Sequence, residues 1–248
     1  MNQFKIHARM NRLTILLAFA LPSAAANAQV FLNQFNGINT AIPDGSLSGL
    51  VDSRNINIPQ SEVVSVSVTL EIMGIGLGGA FNGDLYVSLS HEGSKAILLN
   101  GVGRTALDGS GYSDNGLSNV TFSDTAVNGD IHSYRLTLFG NANMELGGPL
   151  TGAWQPDGRD VHPDLSLNSS PRDGMLGNFQ GLDPSGAWTL FLADTSTGGT
   201  AKLQSWSLSI VAVTPNENPV PEPMETTLVI GGLLGGFAAW RARARRKS

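Results

Sequence analysis

Acid–base chemistry in this sequence depends on three histidines beyond the first 28 residues, His91, His132 and His162. They are far apart. His91 stands before the turn Glu92-Gly93-Ser94, His132 before the run Ser133–Phe139, and His162 between Asp160 and Asp164. A serine or cysteine nucleophile needs a base within hydrogen-bond reach. The chain has neither a Gly-x-Ser-x-Gly elbow nor a zinc-protease histidine pair. It contains no Cys, which removes thiol nucleophiles, disulfides and Cys-bound zinc. Carboxylates are more plentiful. Asp157, Asp160, Asp164 and Asp173, with Arg159 and Arg172 between them, occupy one stretch. Two of them at glycosidase separation would be an acid–base pair, but a solvated charged loop explains the same composition. The expectation is a protein without catalysis.

Binding chemistry is the other reading. Calcium takes six to eight oxygens from carboxylates, carbonyls and water. The run from Asp108 to Gly116 offers Asp108, Asp114 and Asn115 on a glycine-rich backbone, without the spacing of an EF-hand loop. A plain series of Asx and glycine turns fits it equally. Tyr112 in that run and Trp154 in the next long loop could stack on a sugar ring, which makes a carbohydrate-binding module the alternative function.

Charge separates the chain into parts. Residues 29–220 carry seven Lys or Arg against eighteen Asp or Glu, a formal −11, while the whole chain is only −5. Such a body repels a phosphate backbone, so no nucleic-acid partner is expected. The basic residues collect at the ends. Residues 1–28 combine Lys5, Arg9 and Arg12 with the apolar run 13–21, then Pro22 and the small residues Ala26 and Ala28. This is the layout of a secretory signal peptide cleaved before Gln29. After residue 213 comes a proline-rich linker, 214–225, containing Pro221-Glu222-Pro223. An uncharged segment, 226–240, follows; as a helix it would rise about 22 Å, short of the roughly 30 Å hydrocarbon core. Residues 241–248 close the chain with Arg241, Arg243, Arg245, Arg246 and Lys247, a basic tail expected on the cytoplasmic side of a short transmembrane segment.

The order Pro-Glu-Pro, short apolar span, basic cluster resembles the PEP-CTERM sorting signal of Gram-negative bacteria. That resemblance implies an exosortase, a membrane cysteine protease-transpeptidase, as partner. It also implies transient anchoring in the inner membrane on the way to the cell surface or extracellular matrix, often beside surface polysaccharide.

The body, 29–213, must position whatever chemistry exists, and its period is two. Val64, Val66, Val68, Leu70 and Ile72 alternate with polar residues, as do Leu85, Val87 and Leu89. The turn at 91–94 folds the second of these onto Lys95–Leu99 as a hairpin. Arg54–Ile58, Asn119–Phe122 and Ser133–Phe139 are weaker strands. Trp188, Leu190 and Leu192 lead one late strand. In the last, Trp206, Leu208 and Ile210 should face inward and Leu203, Ser205, Ser207, Ser209 and Val211 outward. Gly101–Asn119 and Gly147–Leu176 are long loops. Short strands joined by Gly/Asp/Asn/Ser turns make an all-β antiparallel sandwich.

Several of these pieces occur in a familiar order: Ile42-Pro43-Asp44-Gly45, Gly83-Asp84-Leu85, Phe122–Ala126, Gly186-Ala187-Trp188-Thr189-Leu190 with Asp194, and Leu203-Gln204-Ser205-Trp206-Ser207-Leu208. Together they resemble the P domain (Homo B domain) of subtilisin-like proprotein convertases. The resemblance implies a jelly-roll β-sandwich of about eight antiparallel strands that stabilises a catalytic domain, and some members bind calcium. Asp84, Asp124 and Asp194 fall on family positions and join Asp108 and Asp114 as candidate calcium ligands. No subtilisin-type catalytic domain precedes Gly45, so proteolysis is not expected to carry over. The function expected is a non-enzymatic, exported envelope or matrix protein, structural or adhesive. A carbohydrate-binding module, or a domain accessory to a subtilisin-like protease, is the alternative.

Overall fold

The computed structural model describes residues 28–76 and 79–214. The expected leader, with Ala26, and everything from residue 215 onward, including the Pro-Glu-Pro motif, the apolar segment and the basic tail, lie outside the described residues. Ala28 is the first residue of strand β1 (Ala28–Phe35), so cleavage before Gln29 would leave that strand nearly whole.

The remaining strands are β2 (Thr40–Ile42), β3 (Ser46–Ile56), β4 (Glu62–Gly74), β5 (Leu85–His91), β6 (Ser94–Asn100), β7 (Leu117–Phe122), β8 (Ala153–Trp154), β9 (Gly186–Asp194) and β10 (Ala201–Val213). They form two sheets. One runs β1-β10-β4-β7-β8, with β2 also on β10; the other runs β3-β9-β5-β6. All pairings are antiparallel except β7 with β8. The fold is therefore an all-β, two-sheet sandwich, with ten described strands where about eight were expected.

The core is the set of inward side chains of both sheets. Trp188, Leu190 and Leu192 of β9 and Leu85, Val87 and Leu89 of β5 face Val68, Leu70 and Ile72 of β4 and Trp206, Leu208 and Ile210 of β10, all buried. Two bulges correct the face assignments. On β10 the pairing with β4 shifts between Leu203 and Ser205. Leu203 therefore turns inward with Trp206, although it stands three positions before it and strict alternation would put Leu203 outside. On β4 a second shift, opposite Val211 and Ala212, buries Val63 and leaves Val64 40% exposed.

Ser133–Phe139 is not a strand. Asp130 accepts from the backbone N–H of His132 at the start of a 3-10 turn, which continues into α1 (Tyr134–Phe139). Gly140 then ends the helix in the left-handed region, its N–H donating to the Leu136 carbonyl. The apparent alternation misleads because the buried pair is adjacent, Tyr134 and Arg135, while Leu136, Leu138 and Phe139 are exposed.

Candidate functional site

The two long loops are a packed layer and not open arms. Residues 157–174 close the free edge of β6: the N–H groups of Asp157 and Gly158 donate to Leu98 and Ile97, and that of Ile97 to Gly174. The Asn100 amide reaches the carbonyls of Arg159 and Val161, at 2.8 and 3.0 Å. The earlier loop passes so close to Gly83 that a Cβ there would lie 2.7 Å from the backbone of Ser110 and Tyr112. That is a physical reason for glycine in the Gly-Asp-Leu motif. Leu85, in the same motif, is fully buried.

Inside this layer lies a buried ionic network. Asp157, with no exposed surface, stands 2.8 Å from His132 Nδ1, while its other oxygen accepts from Arg159 at 3.1 Å. His132 Nε2 is 2.9 Å from the Arg104 carbonyl. Arg159 continues to Asp130 at 2.9 Å and to the carbonyls of Leu167 and Asn168. Burial opposes charge on Arg159, but Asp130 and Asp157 hold its guanidinium pKa above the ordinary value. Asp157, a sequence candidate for acid–base work, and Arg159 beside it are thus interior ties between loops, and a solvated loop describes only part of the segment. Asp164 stays exposed, and Asp160 pairs with Lys95 at the surface.

A second network corrects the reading of Asp114 and Tyr112. Asp114 accepts from Tyr134 Oη at 2.6 Å, Arg135 Nε at 2.7 Å and the Leu146 N–H at 2.6 Å. Burial alone would raise its pKa; the bonds from Arg135, Tyr134 and Leu146 bring it below the usual carboxylate range. Tyr112 is 5% exposed, packed edge-on to Tyr134 under the Arg135 guanidinium. Trp154 is fully buried, its Nε1 donating to Thr151. Neither ring offers a face to solvent, so the sugar-stacking assignment of Tyr112 and Trp154 is withdrawn. Tyr112, in its loop, and Trp154, in β8, are both part of the core.

The five carboxylates considered for calcium do not assemble into one centre. Asp108 caps its own turn, accepting from Ser110 N–H. Asp124 accepts from the N–H groups of Leu176 and Gly177, beside a cleft of about 150 Å³ that Ser65 and Gln180 also line. Only Asp84 and Asp194 come together, with Asp44, at one end of the β3-β9-β5-β6 sheet. Among the described residues no three His, Asp or Glu side chains form a metal-holding group. Arg104 stands 4.0 Å from Asp84, and the Asp84 carbonyl accepts from both the N–H and the hydroxyl of Thr195.

Burial, and then the charges of Asp84 and Asp44, push Asp194 up to about 6 against one opposing bond from the Ser196 N–H. The folded form thus binds its proton more tightly than the unfolded chain, whose Asp titrates near about 3.9. Stability from this group is complete below about pH 4 and is lost as pH rises through about 6. Asp194→Asn, neutral throughout, is expected to exceed the parent by about 1–3 kcal/mol at pH 7.5 and to match it near pH 4. Denaturant titrations at the two pH values measure this; a pH-independent difference would contradict it.

Two of the three histidines are likewise structural. His91 stacks on Trp188 with centroids 4.0 Å apart, and its two ring nitrogens lie 3.0 and 2.7 Å from the carbonyls of Ala187 and Asp183. His132 is engaged at both nitrogens, as above. His162 is exposed, beside Asp164. The two buried histidines, His91 and His132, are each held at both ring nitrogens and serve the fold.

No protein-family model matches the chain, and no curated protein does. The structure has a partial likeness to a chain in the crystal structure of the complex of Aeromonas sobria serine protease and the chaperone ORF2. Identity is 17%, the TM-score is 0.41, and the match covers 75% of this chain. It spans about a quarter, 27%, of that chain. The exosortase-type partner expected from the tail has no counterpart in this comparison: the complex found is of a serine protease and a chaperone.

Proposed function

We propose that this chain is an exported, non-enzymatic accessory module, a jelly-roll sandwich of the P-domain type that supports a subtilisin-like protease by docking. One observation carries the reading. The long loops, where an enzyme of this architecture would keep its reacting groups, are tied down by the Asp157–His132–Arg159 and Asp114–Tyr134–Arg135 networks. Such a body is built to persist and to present a surface. The Gly-Asp-Leu and Leu-x-x-Trp-x-Leu segments, both at structural positions, support the P-domain assignment, and residues 1–28 support export. A self-standing structural or adhesive role in the envelope is the second reading, favoured by the exposed apolar residues of β1.

Two measurements test this. The purified chain should show no turnover on a panel of peptides, esters and glycans; turnover abolished by His162→Ala, the replacement of its exposed histidine, would overturn the non-enzymatic reading. Co-expression with a subtilisin-type protease of the same genome should lengthen that protease's half-life at elevated temperature. An unchanged half-life would reject the accessory role and leave the envelope one.

A further inference from the structure

A β-sandwich with open sheets must protect its edges, since each free edge is a row of unpaired N–H and C=O groups. Here the edges are treated unequally. β8 has two residues and β2 three, too short to template another strand. β6 is closed by the loop 157–174. β3 carries the charged pair Asp52 and Arg54 and an irregular register between Ser46 and Leu50. β1 has none of these devices. Its eight residues, Ala-Gln-Val-Phe-Leu-Asn-Gln-Phe, contain no charge and no proline, and their register with β10 is unbroken from Ala28 to Phe35. Among the described residues no strand pairs with its outer side.

Along the rows of Val30, Leu32 and Gln34 the surface beside that edge is also uncharged, with Glu62 in the row of Ala28 at one end and Glu71, opposite Ser205, past the other. Val30 lies next to Val211 and then Ser65, Leu32 next to Ser209 and Ser67, and Gln34 next to Ser207 and Thr69. Val30 is 69% exposed and Leu32 60%. On a body carrying −11 over residues 29–220 this choice of residues selects the partner. Two copies meeting elsewhere bring more like charges together than two copies meeting along Val30, Leu32 and Gln34, whose rows hold none.

We propose that β1 is a self-association site, where a second copy of this chain adds edge to edge, antiparallel, across a two-fold axis. Such an interface is isologous, the same strand on both sides. It would continue the β1-β10-β4-β7-β8 sheet across both copies, pairing the free backbone groups and setting Val30 and Leu32 of each copy side by side. It does not depend on the accessory role.

Because the chain contains no cysteine, a single introduced thiol reports the contact cleanly. Full-length chains carrying Val30→Cys or Leu32→Cys bracket the adjacent registers, and Val51→Cys, 59% exposed on β3, is the control. Mild oxidation should link one or both β1 variants into dimers and leave the control monomeric. In sedimentation velocity the parent should show a concentration-dependent dimer. Val30→Lys with Leu32→Lys, both at exposed positions and checked for an unchanged far-UV spectrum, should weaken it roughly tenfold or more, one decade in Kd. A parent that stays monomeric throughout the micromolar range would overturn the proposal, as would β1 variants that link no better than Val51→Cys. A thiol at position 32 shielded from maleimide in a monomer would also overturn it and assign the edge to another segment of the chain.

Discussion

Asp157→Ala is expected to cost about 3–5 kcal/mol, a large share of the roughly 5–15 kcal/mol that holds a domain folded. The carboxylate is wholly buried between His132 and Arg159, so removing it leaves an imidazole nitrogen and one guanidinium nitrogen facing a void, while Arg159 keeps Asp130 as its remaining carboxylate. Breaking a buried pair is costly because the survivor keeps its desolvation without its partner. Asp157→Asn, which retains an oxygen for Arg159, should lose clearly less. Chemical denaturation of the three proteins at pH 7 measures the effect. An alanine variant within about 1 kcal/mol of the parent would show that solvent enters the layer and that the loops are not closed by this network.

Trp206→Ala should fall in the same range, about 3–5 kcal/mol, for a different reason. The indole is 2% exposed and packs on Phe35 with ring centroids 4.6 Å apart, while Arg54 covers the other partner's ring at 4.9 Å. Truncation opens a void between β1, β10 and β3, where backbone ladders prevent collapse. Trp206→Phe keeps most of the volume and loses only an indole N–H that has no acceptor here, so it should cost much less. Calorimetric melting separates the two. Equal losses for Ala and Phe would mean that the N–H, and not the packing, matters.

How legible this molecule was in its sequence depended on burial. β4, β5, β9 and β10 bury alternate residues on at least one face, and the period of two located them; β6, buried without a break from Ala96 to Asn100, was located by the turn before it. β1 and most of β3 were not read as strands, because an edge strand with both faces partly wet has no amphipathic signature: Val30 and Leu32 point outward together with polar neighbours. The residues 133–139 failed in the opposite way, with a false alternation in one turn of helix set by Asp130 and Gly140. Both tryptophans expected inside, Trp188 and Trp206, are inside. The site residues were harder to place. Aspartates that terminate turns, such as Asp108 and Asp124, and aspartates that hold buried arginines, such as Asp114, look alike in a sequence, and only the distant partners distinguish them. Asp157, treated as one acid among four, has the most buried network of the group.

The placement of β10 also governs time. The strand ending at Val213 lies in the middle of its sheet, with β4 on one side and the earliest strand, β1, on the other. The Ala28–Val213 pairing closes a loop of nearly the whole domain. Contacts so distant in sequence must pay loop-closure entropy before they return any stability, and topologies dominated by them fold in milliseconds to seconds. The first strand therefore waits for the last. Until the chain has been made through residue 213, Trp206 has not joined the core and β4 lacks its neighbour on the β10 side, so the β1-β10-β4-β7-β8 sheet stays incomplete.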